Sequence, residues 1–170
     1  VVRVDGRMIV GLGAESVLET SIALNRTWGV PYIPGTALKG LAAHYLNDQI
    51  ANGDQNLLRR DGLELDERGK APAPNAHGVL FGTSVEASYI NWLDAWLVPA
   101  EAADAQLLFQ PDVMTPHHAG YYQGAARIPQ PTDADDPIPI PFISTGGSYL
   151  ICLQGPAQSW VDFAFNLLTE

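Results

Sequence analysis

Val30-Pro-Tyr-Ile-Pro-Gly-Thr-Ala-Leu-Lys-Gly-Leu-Ala-Ala-His-Tyr-Leu46 organises the rest of this chain. Two prolines hold Tyr32 and Ile33 extended, because a residue before proline is pushed out of the α region. Gly35 lets the backbone turn tightly, and Thr36 is placed to cap a helix. Ala37, Leu38, Leu41, Ala42, Tyr45 and Leu46 then recur at three-to-four spacing, which predicts a helix from Thr36 to about Ile50. Lys39 falls in its first turn, where a cation opposes the helix dipole. An anion at that N-terminus removes the conflict, phosphate being the usual one. A capped surface helix with a solvated lysine fits the same residues. A P-loop does not, because Gly40 rather than Ser or Thr follows Lys39.

Upstream, Gly6–Gly13 reads as a first strand ending at glycines. Gly11 and Gly13 make half of a dinucleotide fingerprint, but no third glycine opens a helix on schedule. Thr20–Thr27 reads as a second extended segment, with Ile22, Leu24 and Arg26 on one face. Downstream, residues 51–77 are rich in Asp, Arg, Gly and Pro and read as an insertion. Gly78–Gly82 is a short buried element. Ile90–Val98 reads as a central strand ending at Pro99. Asp94 sits in the middle of that run and needs hydrogen-bond donors. It is read as a cap for a neighbouring loop, with a catalytic carboxylate as the alternative.

Residues 110–124 read as part of a long loop reaching to 141, punctuated by Pro111, Pro116, Gly120 and Gly124. Pro137-Ile-Pro-Ile-Pro141 is extended but unsuited to a central strand. Phe142–Thr145, Gly146-Gly147 and Ser148–Leu153 predict a hairpin. Gln158–Leu168 predicts an amphipathic helix with Trp160, Val161, Ala164, Phe165 and Leu168 along one stripe. Strands, helix, strands and helix give an α+β domain with helices on one face of a mainly antiparallel sheet. The order β-α-β-β-α suggests a ferredoxin-like pattern whose last strand is missing.

At 170 residues the expectation is one domain with insertions, and 46% hydrophobic residues suffice for a core. No apolar run reaches the roughly 20 residues of a membrane span, and no signal-peptide pattern opens the chain. The single cysteine, Cys152, excludes an internal disulfide and fits a reducing compartment, so the expected location is the cytoplasm. The net charge of −10 disfavours strong autonomous binding to nucleic acid. The acids cluster in Asp61–Glu67, Glu101–Asp104 and Asp133–Asp136, which leaves space for a local basic groove.

His117, His118, Tyr121 and Tyr122 are the second informative group. Adjacent histidines need a third ligand to hold a metal, and neither HExxH nor a Cys/His spacing is present, so no metal or cofactor is expected. A histidine with Asp112 could form a nuclease centre. Imidazole and phenol rings on a loop also suit stacking against unpaired bases. Packing of Tyr121 and one histidine against the sheet is the plainest reading.

The chain resembles the RAMP superfamily of CRISPR effector proteins. More narrowly, it is similar to the family of the sixth Cmr subunit, which ends the backbone filament of type III-B complexes. Gly29-Val-Pro-Tyr-Ile-Pro-Gly-Thr-Ala-Leu-Lys-Gly40 carries the general likeness, with Gly11–Thr20, Val79–Gly82 and Leu93-Asp-Ala95. Asp112-Val-Met-Thr-Pro-His-His-Ala-Gly-Tyr-Tyr122 and Asp136–Phe142 carry the narrower one. The resemblance implies a modified RRM-like (ferredoxin-like) fold with insertions. It further implies contact with the guide RNA backbone, docking on other Cmr backbone subunits, and a role in antiviral defence. Gly35, Thr36, Lys39 and Gly40 of the Pro-Gly motif would lie near RNA, with Arg7 and Arg26 adding phosphate contacts. No catalytic centre is implied, so His117, His118, Tyr121 and Tyr122 would serve RNA contact or loop structure. A metal-dependent or His-dependent RNA nuclease is the alternative. RAMP proteins usually carry a glycine-rich loop leading into a last strand, which this sequence is expected to lack after Leu167-Leu-Thr-Glu170.

Overall fold

Tyr32 and Ile33, held between Pro31 and Pro34, form a short strand that runs directly into a helix over Gly35–Ala51. The computed structural model describes residues 1–15, 17, 20–51, 76–99, 108–115 and 137–169. In chain order the elements are β1 (Val2–Arg3), β2 (Tyr32–Ile33), α1 (Gly35–Ala51), α2 (Ala76–Phe81), β3 (Asn91–Trp92) and β4 (Ala95–Leu97). β5 (Phe109–Met114), β6 (Ile140–Thr145), β7 (Ser148–Leu150), β8 (Leu153–Gln154) and α3 (Gln158–Asn166) follow. The chain forms two compact units, one of Val1–Val2, Tyr32–Val98 and Tyr149–Glu170, the other of Arg3–Pro31 and Pro99–Ser148.

In the first unit β2 pairs antiparallel with β4 (Tyr32↔Trp96, Ile33↔Ala95), and β4 with β7 (Trp96↔Leu150, Leu97↔Tyr149). The sheet order is β1-β7-β4-β2. Alternation along these strands buries Ala95 and Tyr149 while Trp96 and Leu150 stay exposed. β3 and β8 form a separate antiparallel pair. α1 buries Leu38, Ala42 and Leu46 at four-residue spacing. Ala42 and Leu46 join Leu80, Phe81, Ile90, Ala164 and Leu167 in one core. The Phe81 ring stacks on Trp92 at 5.6 Å, and Trp92 Nε1 donates to the Leu80 carbonyl at 3.0 Å. Among the described residues no helix is long and apolar enough to cross a membrane.

Several expectations change here. Leu41, expected on the apolar stripe, is 58% exposed. α1 begins one residue early, so Thr36 is not its cap: the Pro34 carbonyl accepts from the N–H groups of Ala37 and Leu38 at 2.9 and 3.2 Å. Gly78–Gly82 is the end of helix α2, and it stops at Gly82, whose φ of 76° is the left-handed conformation that ends helices. The expected central strand over Ile90–Val98 is broken into β3 and β4 at Leu93-Asp94.

In the second unit β5 and β6 form a six-pair antiparallel ladder from Phe109↔Thr145 to Met114↔Ile140. The run expected to be loop from Gln110 onward therefore starts as a strand. Pro111 and Pro141 are tolerated because in a two-stranded ladder every strand keeps one open edge. β6 pairs with β5, and β7 with β4, so the expected hairpin across Gly146-Gly147 does not form. Those glycines instead pass the chain from one ladder to another, with Gly147 at φ 100°. Gly6–Gly13 is not a strand and contributes one bridge, Met8↔Thr145. Thr20–Thr27 contributes only Leu24↔Pro31, because Asn25 starts a turn in which its side chain accepts from the N–H groups of Thr27 and Trp28. The interior of the 51–77 insertion lies outside the described residues.

Candidate nucleic-acid interface

The expected RNA-facing motif sits where β2 enters α1. Pro31 is fully buried, and Tyr32 stacks across the sheet on Trp96 with ring centroids 5.9 Å apart. Gly35 is buried against the β3–β4 link. A Cβ there would fall inside contact distance of the Trp92 carbonyl oxygen and 2.7 Å from its carbon, so only glycine fits. The Gly35 N–H donates to Asp94 Oδ1 at 2.8 Å. Asp94 thus breaks the strand in order to cap α1 from a residue 59 positions away.

That contact changes the electrostatic argument for Lys39. The anion at this helix N-terminus is the protein's own carboxylate, which offsets the unfavourable placement of a first-turn cation. Lys39 is half-buried and, among the described residues, has no ion-pair partner. Thr36 and Gly40 are exposed, and a Cβ on Gly40 would meet nothing within 4 Å. Thr36, Lys39 and Gly40 thus lie together on the first turns of α1, two of them facing solvent. Further along, His44 lies 3.7 Å from Asp48 on an exposed stretch of the same helix.

Arg7 and Arg26 belong to the second unit. Arg7 Nη1 contacts Asp112 Oδ2 at 3.0 Å, with the arginine side chain 47% exposed. Asp112 Oδ1 accepts the N–H of Val113 at 2.9 Å, so both carboxylate oxygens are engaged. Arg26 is exposed beside Thr27 and Trp28 in the turn that runs from Asn25 to Val30. His117, His118, Tyr121 and Tyr122 lie outside the described residues. Among the described residues no group of three His, Cys, Asp or Glu side chains could hold a metal. Arg3 was not singled out by sequence, although Arg3-Val-Asp-Gly-Arg7 places two arginines around an Asp-Gly turn signal.

The family model of the RAMP superfamily matches residues 2–156, and this chain belongs to that superfamily. It is 32% identical over 204 residues to the CRISPR system Cmr subunit Cmr6 of Pyrococcus furiosus. That match covers 98% of this chain and 60% of the relative, so the chain spans well under two thirds of the relative's length. The crystal structure of Cmr6 from Pyrococcus furiosus matches with a TM-score of 0.51 at 30% identity, over 98% of this chain and 85% of that one. A chain in the cryo-EM structure of the type III-B Cmr-beta complex bound to cognate target RNA matches with a TM-score of 0.59. At 17% identity, over 95% of this chain and 47% of that one, this second likeness speaks to fold alone.

Proposed function

We propose that this chain is a non-catalytic subunit of a type III-B CRISPR RNA-guided effector complex. It binds the guide RNA backbone and caps the backbone filament beside other Cmr subunits, in antiviral defence. The observation that carries this reading is the 32% identity to Cmr6 across 98% of the chain. The first unit, with helices α1, α2 and α3 and an antiparallel sheet, is read as the ferredoxin-like core of the RAMP fold. The Pro-Gly motif supplies the RNA contact: Gly35 fixes the start of α1, and Thr36, Lys39 and Gly40 present a hydroxyl, a cation and an unshielded backbone. Arg7 and Arg26 add phosphate contacts, and His117, His118, Tyr121 and Tyr122 are proposed to stack on unpaired bases.

A net charge of −10 suits a protein whose affinity for the particle comes mainly from protein contacts, with a few phosphate contacts added. Asp112 is a poor general base for the nuclease alternative, because Arg7 and the Val113 N–H already hold its oxygens. The test is the salt dependence of RNA binding. Each phosphate contact contributes about 0.7 to the logarithmic salt slope for single strands, and Lys39→Ala is expected to lower the slope by that amount. An unchanged slope removes Lys39 from the RNA surface.

A further inference from the structure

The second unit holds a polar cleft of about 550 Å³ lined by Arg3, Val4, Asp5, Gly6, Arg7, Gln110, Gly146 and Gly147. Its origin lies in the backbone. Val4 N–H donates to the Gly147 carbonyl at 2.9 Å, and Met8 and Thr145 exchange two hydrogen bonds at 2.7 Å. Between these ties three residues, Asp5, Gly6 and Arg7, face a single one, Gly146. The surplus residues bulge outward, and Gly6 turns the chain at φ 79°, a conformation costly for any side chain. Gly146 N–H is tied to the Leu108 carbonyl at 3.2 Å, so the opposite wall is fixed and bare of side chains.

We infer that this cleft binds one nucleotide unit of a single-stranded RNA, with the phosphate on the Arg3 and Arg7 guanidinium groups. The inference rests on the RNA-binding reading above and extends it to a second unit of the chain. Arg3 and Arg7 line the cleft beside Asp5, and Asp112, outside the lining, pairs with Arg7. Asp112 Oδ2 contacts Arg7 Nη1, which holds the guanidinium beside the cleft. Among the described residues Arg3 has no ion-pair partner, so its donors are uncommitted. The glycine wall admits close approach of a sugar-phosphate backbone, and the volume falls in the usual range for a small-ligand site. The Gln110 carboxamide and the Asp5 carboxylate offer acceptors and donors to a base edge.

The experiment is fluorescence anisotropy of the full chain with a labelled single-stranded oligouridylate, across a salt series. Arg3→Gln disturbs no ion pair among the described residues, so it is the variant that leaves folding intact; circular dichroism checks this. It is expected to weaken binding roughly tenfold and to lower the salt slope by about 0.7. Arg3→Gln with Arg7→Gln is expected to lower it by about twice that. Parent-like binding by both variants, with Lys39→Ala still weakened, overturns the cleft and leaves the α1 contact standing. Tighter binding of adenosine monophosphate than of the oligonucleotide overturns the RNA assignment in favour of a free nucleotide. No RNA binding by the parent chain overturns the cleft and the proposed RNA contact together.

Discussion

Asp94 and Gly35 show how two residues far apart in sequence settle one helix start. Asp94 was legible as a polar residue interrupting an apolar run, and a capping role was the expected reading. Its partner was not legible, because nothing in a linear pattern pairs positions separated by 59 residues. Thr36 misled for the same reason: local preference made it the cap, but a tertiary carboxylate reaches the helix one residue earlier. Asp94→Ala is expected to cost about 1 kcal/mol of unfolding free energy through loss of the cap, measured by urea denaturation. Gly35→Ala is expected to cost more, about 3 kcal/mol, because the added methyl meets the Trp92 backbone rather than a movable side chain. A Gly35→Ala protein of parental stability would contradict the packing described at this turn.

At the scale of elements, α1 and α3 were readable because their apolar spacing persists over several turns. Ala164 and Leu167 of the C-terminal helix segment and Ala42 and Leu46 of α1 meet in one core, as helix-period patterns require. Leu46 is completely buried, and Leu46→Ala is expected to cost about 2–5 kcal/mol, read from the urea midpoint. Leu41→Ala, on the exposed side of the same helix, is expected to change stability by less than about 0.5 kcal/mol. Strands were harder. Gly146-Gly147 has the composition of a tight hairpin turn, yet which strand pairs with which is decided by distant ladders. β6 found β5 and β7 found β4, and the glycines serve the crossing between them. Gly78–Gly82 was ambiguous in kind because a run of five residues carries no period; it falls on helix α2 (Ala76–Phe81), which Gly82 ends in the left-handed conformation.

Across the whole molecule, the acidic balance and the Pro-Gly motif pull in opposite directions, and the proposed placement in a multi-subunit particle would reconcile them. If protein contacts carry most of the affinity, the isolated chain binds RNA weakly, and raising the salt from 50 to 200 mM weakens that binding by about one to two orders of magnitude while the assembled particle persists. The Pro-Gly motif was legible because Tyr32–Ala51 form one local strand–helix unit. The Arg3–Arg7 cleft was not, because it exists only once residues 3–8 and 145–147 run side by side. The most direct measurement is size-exclusion co-elution of this chain with the backbone subunit of a type III-B complex, with and without guide RNA. The account predicts association that strengthens when guide RNA is present and weakens in the Lys39→Ala variant. Separate elution under both conditions would contradict it.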